Sequence, residues 1–161
     1  MTEDPSAAKV VFRVATVSAS DAFSTDSTVR KFQVRHAEPA SLGSPDSGPN
    51  PVEAVLAALG SCQAIVYRAY ANALGLNLDR VEVETRGTLD FRGFLGNPTV
   101  PAGFERITFS TRVVSNESAE QIEALARVVE QHCPVLDILR CPIDVSGAAR
   151  HVTPPTALDA A

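Results

Sequence analysis

From Ala54 to Tyr67 the chain runs through fourteen residues without a formal charge, and no other stretch restricts the fold as much. A helix over this run has no polar face to give to water. Its start is well marked: Asn50 fits the N-cap, Pro51 the first helical position, and Glu53 the third, from which its carboxylate can reach back to the cap. Gly75 offers the left-handed stop after Leu74. The spacing predicts one helix over 51–74 with Val55, Leu59, Cys62, Val66, Ala69 and Ala73 on one face. Leu56, Ala57, Ala58 and Ile65 extend the apolar surface almost all round. A helix of this kind is buried on most sides, either at the centre of a domain or at a subunit interface. The uncharged run is shorter than the roughly 20 residues that a bilayer span requires, so it reads as a core helix and not as a membrane anchor.

Period-two patterns surround this helix. Residues 9–17 read as a first strand, with Val10, Phe12 and Val14 on one face, and residues 28–35 read as a second. The two are expected to form a hairpin across the polar stretch around Asp21–Asp26. The Pro-, Gly- and Ser-rich segment 37–50 reads as a loop leading into the helix. Beyond the helix, Val81, Val83, Thr85, Gly87, Leu89 and Phe91 alternate with charged residues, and Ile107, Phe109, Thr111 and Val113 repeat the pattern. Two such strands imply an antiparallel sheet covered on one side. The connection from Gly93 to Gly103 is apolar and too long for a tight turn, which suits a lid or an interface arm.

The C-terminal third is predicted to be helical. Ser118 and Gln121 form a capping box, and Ile122, Leu125, Val128, Val129 and His132 share a face. Pro134 ends that helix at Cys133 and begins a short one running to about Arg140. Pro142 breaks the short helix, and Ile143 and Val145 suggest a last strand. Residues 8–150 therefore read as a single domain, with loosely ordered termini at 1–7 and 153–161.

The formal charge of −5, with no Lys/Arg run, argues against a nucleic-acid partner. The first residues lack the basic and apolar regions of a signal peptide, so a cytoplasmic location is expected. There, three cysteines mean thiols held reduced at rest. Cys62 sits in the apolar helix, where the plain reading is a small hydrophobe. Cys133 takes the N-cap place of the short helix, where free N–H groups and the positive helix end favour a thiolate. His132 is expected to point away at an exposed helix end, and Cys141 reads as structural. No pair with metal-ligand spacing stands out, and neither a metal nor an organic cofactor is expected.

The motif Asn50-Pro51-Val52-Glu53, the run Leu56-Ala57-Ala58-Leu59-Gly60-Ser61-Cys62 and, about seventy residues later, His132-Cys133-Pro134-Val135 resemble the OsmC/Ohr family, in its broader OsmC-like branch. The resemblance implies an α+β fold with antiparallel sheets packed around a long central helix. It also implies an intertwined homodimer with sites at the interface. The implied activity is thiol-dependent reduction of organic hydroperoxides. In it Cys62 is oxidised to a sulfenate, Cys133 resolves it as a disulfide, and a dithiol such as lipoylated protein resets the pair.

Two family features are displaced. A glutamate that directly follows the Asn-Pro pair and orients an arginine is replaced by Val52, and Glu53 one residue later is assigned to the cap. The arginine's local motif is absent, leaving Arg35 as the candidate with Arg30 behind it. Two other functions therefore stay open: a binder of small apolar ligands, and a redox sensor in which Cys141 competes for the bridge.

Overall fold

A computed structural model of the chain describes residues 8–18 and 23–153. The expected loose ends at 1–7 and 153–161, apart from Thr153, and the first part of the expected hairpin turn at 21–22 lie outside the described residues. Around helix α1 (Pro51–Leu74) the chain is α+β, with two antiparallel sheets, as the sequence implies. Both halves of the capping box form: Asn50 Oδ1 accepts from the Glu53 N–H and Glu53 Oε2 accepts from the Asn50 N–H, each at 2.8 Å. Gly75 is left-handed at φ 70 and its N–H closes on the carbonyls of Ala71 and Asn72.

The buried stripe of α1 is Leu59, Gln63, Tyr67 and Ala71. It is rotated away from the face expected, because the sequence reading counted apolar side chains and so left out Gln63 and Tyr67. Val55, Ile65, Ala69 and Ala73 are exposed instead, Ile65 by 65%. Within one chain the helix is covered on one side only, and burial on most sides is not realised.

The covered side meets β4 (Arg80–Leu89) and β5 (Phe104–Val114), an antiparallel pair in register from Arg80↔Val114 to Leu89↔Phe104 with an irregularity at Thr88/Leu89. Val81, Val113, Ile107 and Phe109 turn toward the helix, while Glu82 and Arg112 pair at 2.7 Å on the solvated face. The sheet is tied to α1 by polar contacts too: Thr85 donates to the Leu56 carbonyl at 3.2 Å, and the Arg68 guanidinium donates to the carbonyls of Leu78 and Asp79. Between the strands lies a short helix, α2 (Phe91–Phe94), capped by Asp90. Phe91 therefore starts a helix where a strand end was expected. Only a glycine fits at Gly93, because a β-carbon there would collide with the Pro101 carbonyl. Phe94 and Leu95 are left exposed at the tip.

Helix α3 (Ala119–His132), with its Ser118–Gln121 capping box, and helix α4 (Pro134–Arg140) form as the sequence predicts. α3 runs antiparallel to α1: Leu125 and Val129 pack on Tyr67 and Ala71, while Cys133 and Leu136 pack on Leu59. Beyond Pro142 no strand forms among the described residues, and Ile143 and Val145 stand exposed.

The N-terminal region differs more. It is a three-stranded meander of β1 (Val14–Ser18), β2 (Ser24–Val29) and β3 (Phe32–Ala37), in that spatial order. The expected strand at 9–17 begins only at Val14, and the expected strand at 28–35 spans the β2–β3 turn, where Arg30 takes φ 56. Polar β2, Ser-Thr-Asp-Ser-Thr-Val, carries no apolar alternation to reveal it. The register gathers Val14, Val29, Phe32 and Val34 on one face and Asp26, Thr28, Gln33 and Arg35 on the other.

Leu59 is wholly buried. Replacing it with Ala is expected to cost about 2–5 kcal/mol in urea unfolding, and Asn50→Ala about 1 kcal/mol through the cap. A loss below about half a kcal/mol for Leu59→Ala, the usual size of a surface effect, contradicts the packing described.

Candidate active site

Two thiols meet where α1 passes the junction of α3 and α4. Cys62 lies at the edge of the covered stripe and is half-buried. Cys133 is 1% exposed, held between Leu59 and Leu136 with Ile107, Phe109 and Val135 around it. The two side chains are within interaction range of each other, and both are free thiols. The local cause is in the sequence. Pro134 breaks α3, puts Cys133 in an extended conformation (φ −78, ψ 110) and turns its side chain inward as α4 begins.

The electrostatics differ from the expectation of a Cys133 thiolate. Burial pushes the Cys133 thiol above its ordinary range. The N–H groups of Leu136 and Val135 pull in the opposite direction, without completing a cap hydrogen bond, and the neighbouring Cys62 adds to the upward push. Desolvation outweighs the helix end, so Cys133 rests as a neutral thiol.

Other residues singled out by sequence stand apart from the pair. Arg35 lies on the polar face of the meander, where its guanidinium forms a two-point bridge to Asp26 at 2.9 and 2.7 Å. That bridge lowers the Asp26 carboxyl and raises Arg35 from their ordinary values. Within one chain Arg35 is not among the residues packed around Cys62 and Cys133. Glu53 is committed to the α1 cap. His132 is exposed, with Nδ1 2.8 Å from the Val128 carbonyl and its ring 5.2 Å from that of Tyr70. Cys141 is exposed, its Sγ 3.6 Å from Asp137 Oδ1. Among the described residues no group of three or more His, Cys, Asp or Glu side chains gathers as metal ligands would.

Sequence reasoning missed two features. One is a cavity of about 400 Å³ beside the thiol cluster, sharing Leu59, Ile107, Phe109 and Leu136 with it and reaching Leu139 and Arg106. The other is Gln63, the residue after Cys62, which is 1% exposed. Its Nε2 finds no hydrogen-bond partner among the described residues. A buried donor left unpaired costs about 1–3 kcal/mol. A glutamine inside an otherwise apolar helix run was the available signal.

A family model described as OsmC-like protein matches residues 43–146. No curated protein matches the chain by sequence. Among solved structures, an OsmC-like protein from Mycoplasma pneumoniae is similar with a TM-score of 0.70 at 20% identity, over 81% of this chain and 88% of its own. A Legionella pneumophila protein described as an organic hydroperoxide resistance protein gives 0.61 at 19% identity, over 82% and 92%. The organic hydroperoxide resistance protein OhrB of Bacillus subtilis gives 0.56 at 16%, over 81% and 91%. At these identities the likeness is one of fold.

The raised Cys133 thiol has a consequence for stability. Above the unfolded thiol value of about 8.5, the unfolded chain releases a proton that the folded chain retains. Stability is then full below that value and falls as pH rises toward the folded pKa. Urea unfolding under reducing conditions between pH 7.5 and 9.5 is expected to show this decline. Cys133→Ala, although less stable throughout, is expected to show a flatter profile, and an equal slope in the two proteins contradicts the assignment.

Proposed function

The chain belongs to the OsmC-like protein family, and from that premise we propose that it is a thiol-dependent peroxidase acting on organic hydroperoxides. In this reading the Cys62 sulfur attacks the terminal peroxide oxygen, the O–O bond breaks, and the alcohol leaves with a proton. Cys62 is left as a sulfenic acid, which condenses with Cys133 to a disulfide and water. A dithiol, for which lipoylated protein is the candidate, reduces the bridge and restores both thiols. No metal or organic cofactor enters the cycle, and a cytoplasmic setting would keep the thiols ready.

The observation that carries this reading is the contact between Cys62 and Cys133 across two elements about seventy residues apart in sequence. The thiols lie in apolar packing that suits an organic substrate, and the cavity that shares Leu59 and Leu136 with them offers apolar wall from Ile107, Phe109 and Leu139 beside the charged Glu105, Arg106 and Arg140. A half-buried Cys62 next to a fully buried Cys133 also matches the order of events, since the first thiol must meet substrate and the second need only meet the first.

The same reading includes a homodimer. Cys62 borders the uncovered stripe of α1, which carries Val55, Ala58, Ile65 and Ala69. The meander likewise presents Val14, Phe32 and Val34 to solvent. Apolar faces of this extent on one chain are of the kind that a second copy covers. Arg35 is the proposed cation for Cys62, a role that requires it to be delivered by another chain and to release Asp26.

Intact mass and free-thiol counting after one equivalent of cumene hydroperoxide test the chemistry. The parent is expected to lose two thiols, Cys62→Ser none, and Cys133→Ser is expected to hold a sulfenic acid on Cys62 that dimedone traps. Three thiols surviving in the parent would sink the peroxidase reading and leave ligand binding in its place. Arg35→Ala is expected to slow thiol loss at least about tenfold, the weight of one charge-assisted contact. An unchanged rate gives Arg35 to the meander alone.

A further inference from the structure

The cavity beside the thiol cluster has an irregular strand for one wall. Successive side chains of a regular strand point to opposite faces of the sheet, yet Phe104, Glu105, Arg106 and Ile107 of β5 all border this one space. The register explains it. Thr88 pairs with Arg106 and Leu89 with Phe104, so Glu105 is an extra residue with no partner on β4. A bulge of this kind bends the strand and re-aims the side chains beside it. Gly87 makes room for the result, because a β-carbon there would collide with the Phe104 ring.

The two ends of the cavity differ. Its dry end is the wall of Leu59, Ile107, Phe109 and Leu136 that it shares with the thiols, extended by Phe104 and Leu139. The other end carries Glu105, Arg106 and Arg140, all exposed. Two of these three have neighbours of opposite charge. Arg140 bridges to Glu130 at 3.1 Å. The Arg92 guanidinium, raised above its ordinary value first by Asp90, is raised further by Glu105. Arg106 alone of the three makes no hydrogen bond or ion pair with its side chain among the described residues.

We propose that this cavity is a binding site for an apolar molecule ending in a carboxylate, with Arg106 taking the carboxylate and the dry wall taking the chain. A guanidinium can hold a carboxylate through two parallel N–H···O bonds, and about 400 Å³ is within the range of small-molecule sites. An unpaired cation at the rim favours an anionic ligand locally, on a chain whose formal charge of −5 otherwise repels one. Neither sulfur takes part in the binding, so the site stands whether or not the thiols turn over peroxides.

The test titrates octanoate into the reduced full chain, labelled with nitrogen-15 and followed by NMR, with 1-octanol as the uncharged probe. Octanoate is expected to shift the amides of Ile107, Leu136 and Leu139. Arg106→Gln is expected to weaken octanoate about tenfold, the weight of a hydrogen bond to a charged group, and to leave 1-octanol within about twofold. Arg106→Lys, which keeps the charge without the fork, is expected to fall between Arg106→Gln and the parent. Leu139→Trp, which fills the dry end, is expected to weaken both probes, and Leu139→Phe takes its place if that variant does not fold. No shifts at millimolar octanoate, or shifts that miss this cavity, overturn the site. An equal response of the two probes to Arg106→Gln overturns the carboxylate assignment. Octanoate affinity unchanged in a folded Leu139 variant removes the chain from the dry wall and overturns the placement.

Discussion

The packing of Leu59 against Cys133 and Leu136 is the contact on which the candidate site depends. It fixes the junction of α3 and α4 against the middle of α1, and in doing so brings one thiol to within range of the other. Much of what sets it is local. Pro134 ends α3, the extended Cys133 aims its sulfur inward, and the capping box at Asn50 sets the start of α1 and hence which turn carries Leu59. Ile107 and Phe109 close the cluster from β5, so sheet register is also involved: sliding β5 by one residue would turn both away from the helix.

That dependence explains why so much was legible. Caps, stops and strict alternation are short-range signals, and α1, α3, α4, β4 and β5 all carry them. The thiol pair was legible for a different reason, since two motifs far apart in sequence pointed to one family. Strand β2 was not legible, because Ser-Thr-Asp-Ser-Thr holds its place by hydrogen bonding between two neighbours and has no apolar face to bury. The buried side of α1 was misjudged for a related reason. Hydrophobic counting assigns an apolar helix to whichever stripe is most apolar, whereas this chain buries the stripe that carries Gln63 and Tyr67. The more apolar stripe, with Val55, Ile65 and Ala69, is left for something else.

Cys62 stands on the boundary between those two stripes, and its neighbours on either side differ in kind. Toward Leu59 and Cys133 the surroundings are dry and fixed by the chain's own packing. Toward Ala58, Ile65 and Ala69 they are apolar but open in a single chain. In the proposed cycle Cys62 would react first with an apolar peroxide and then with a buried thiol, and that order calls for both kinds of access. The boundary position supplies them without requiring the helix to move.

Burial sets a cost as well as a geometry. The desolvation that comes with burial holds the Cys133 thiol protonated, and the helix end at Pro134 does not reverse this. In the proposed cycle a resolving thiol in that state would be slow unless charge is stabilised at the moment of attack. Bulk water would stabilise it but would also admit competing nucleophiles.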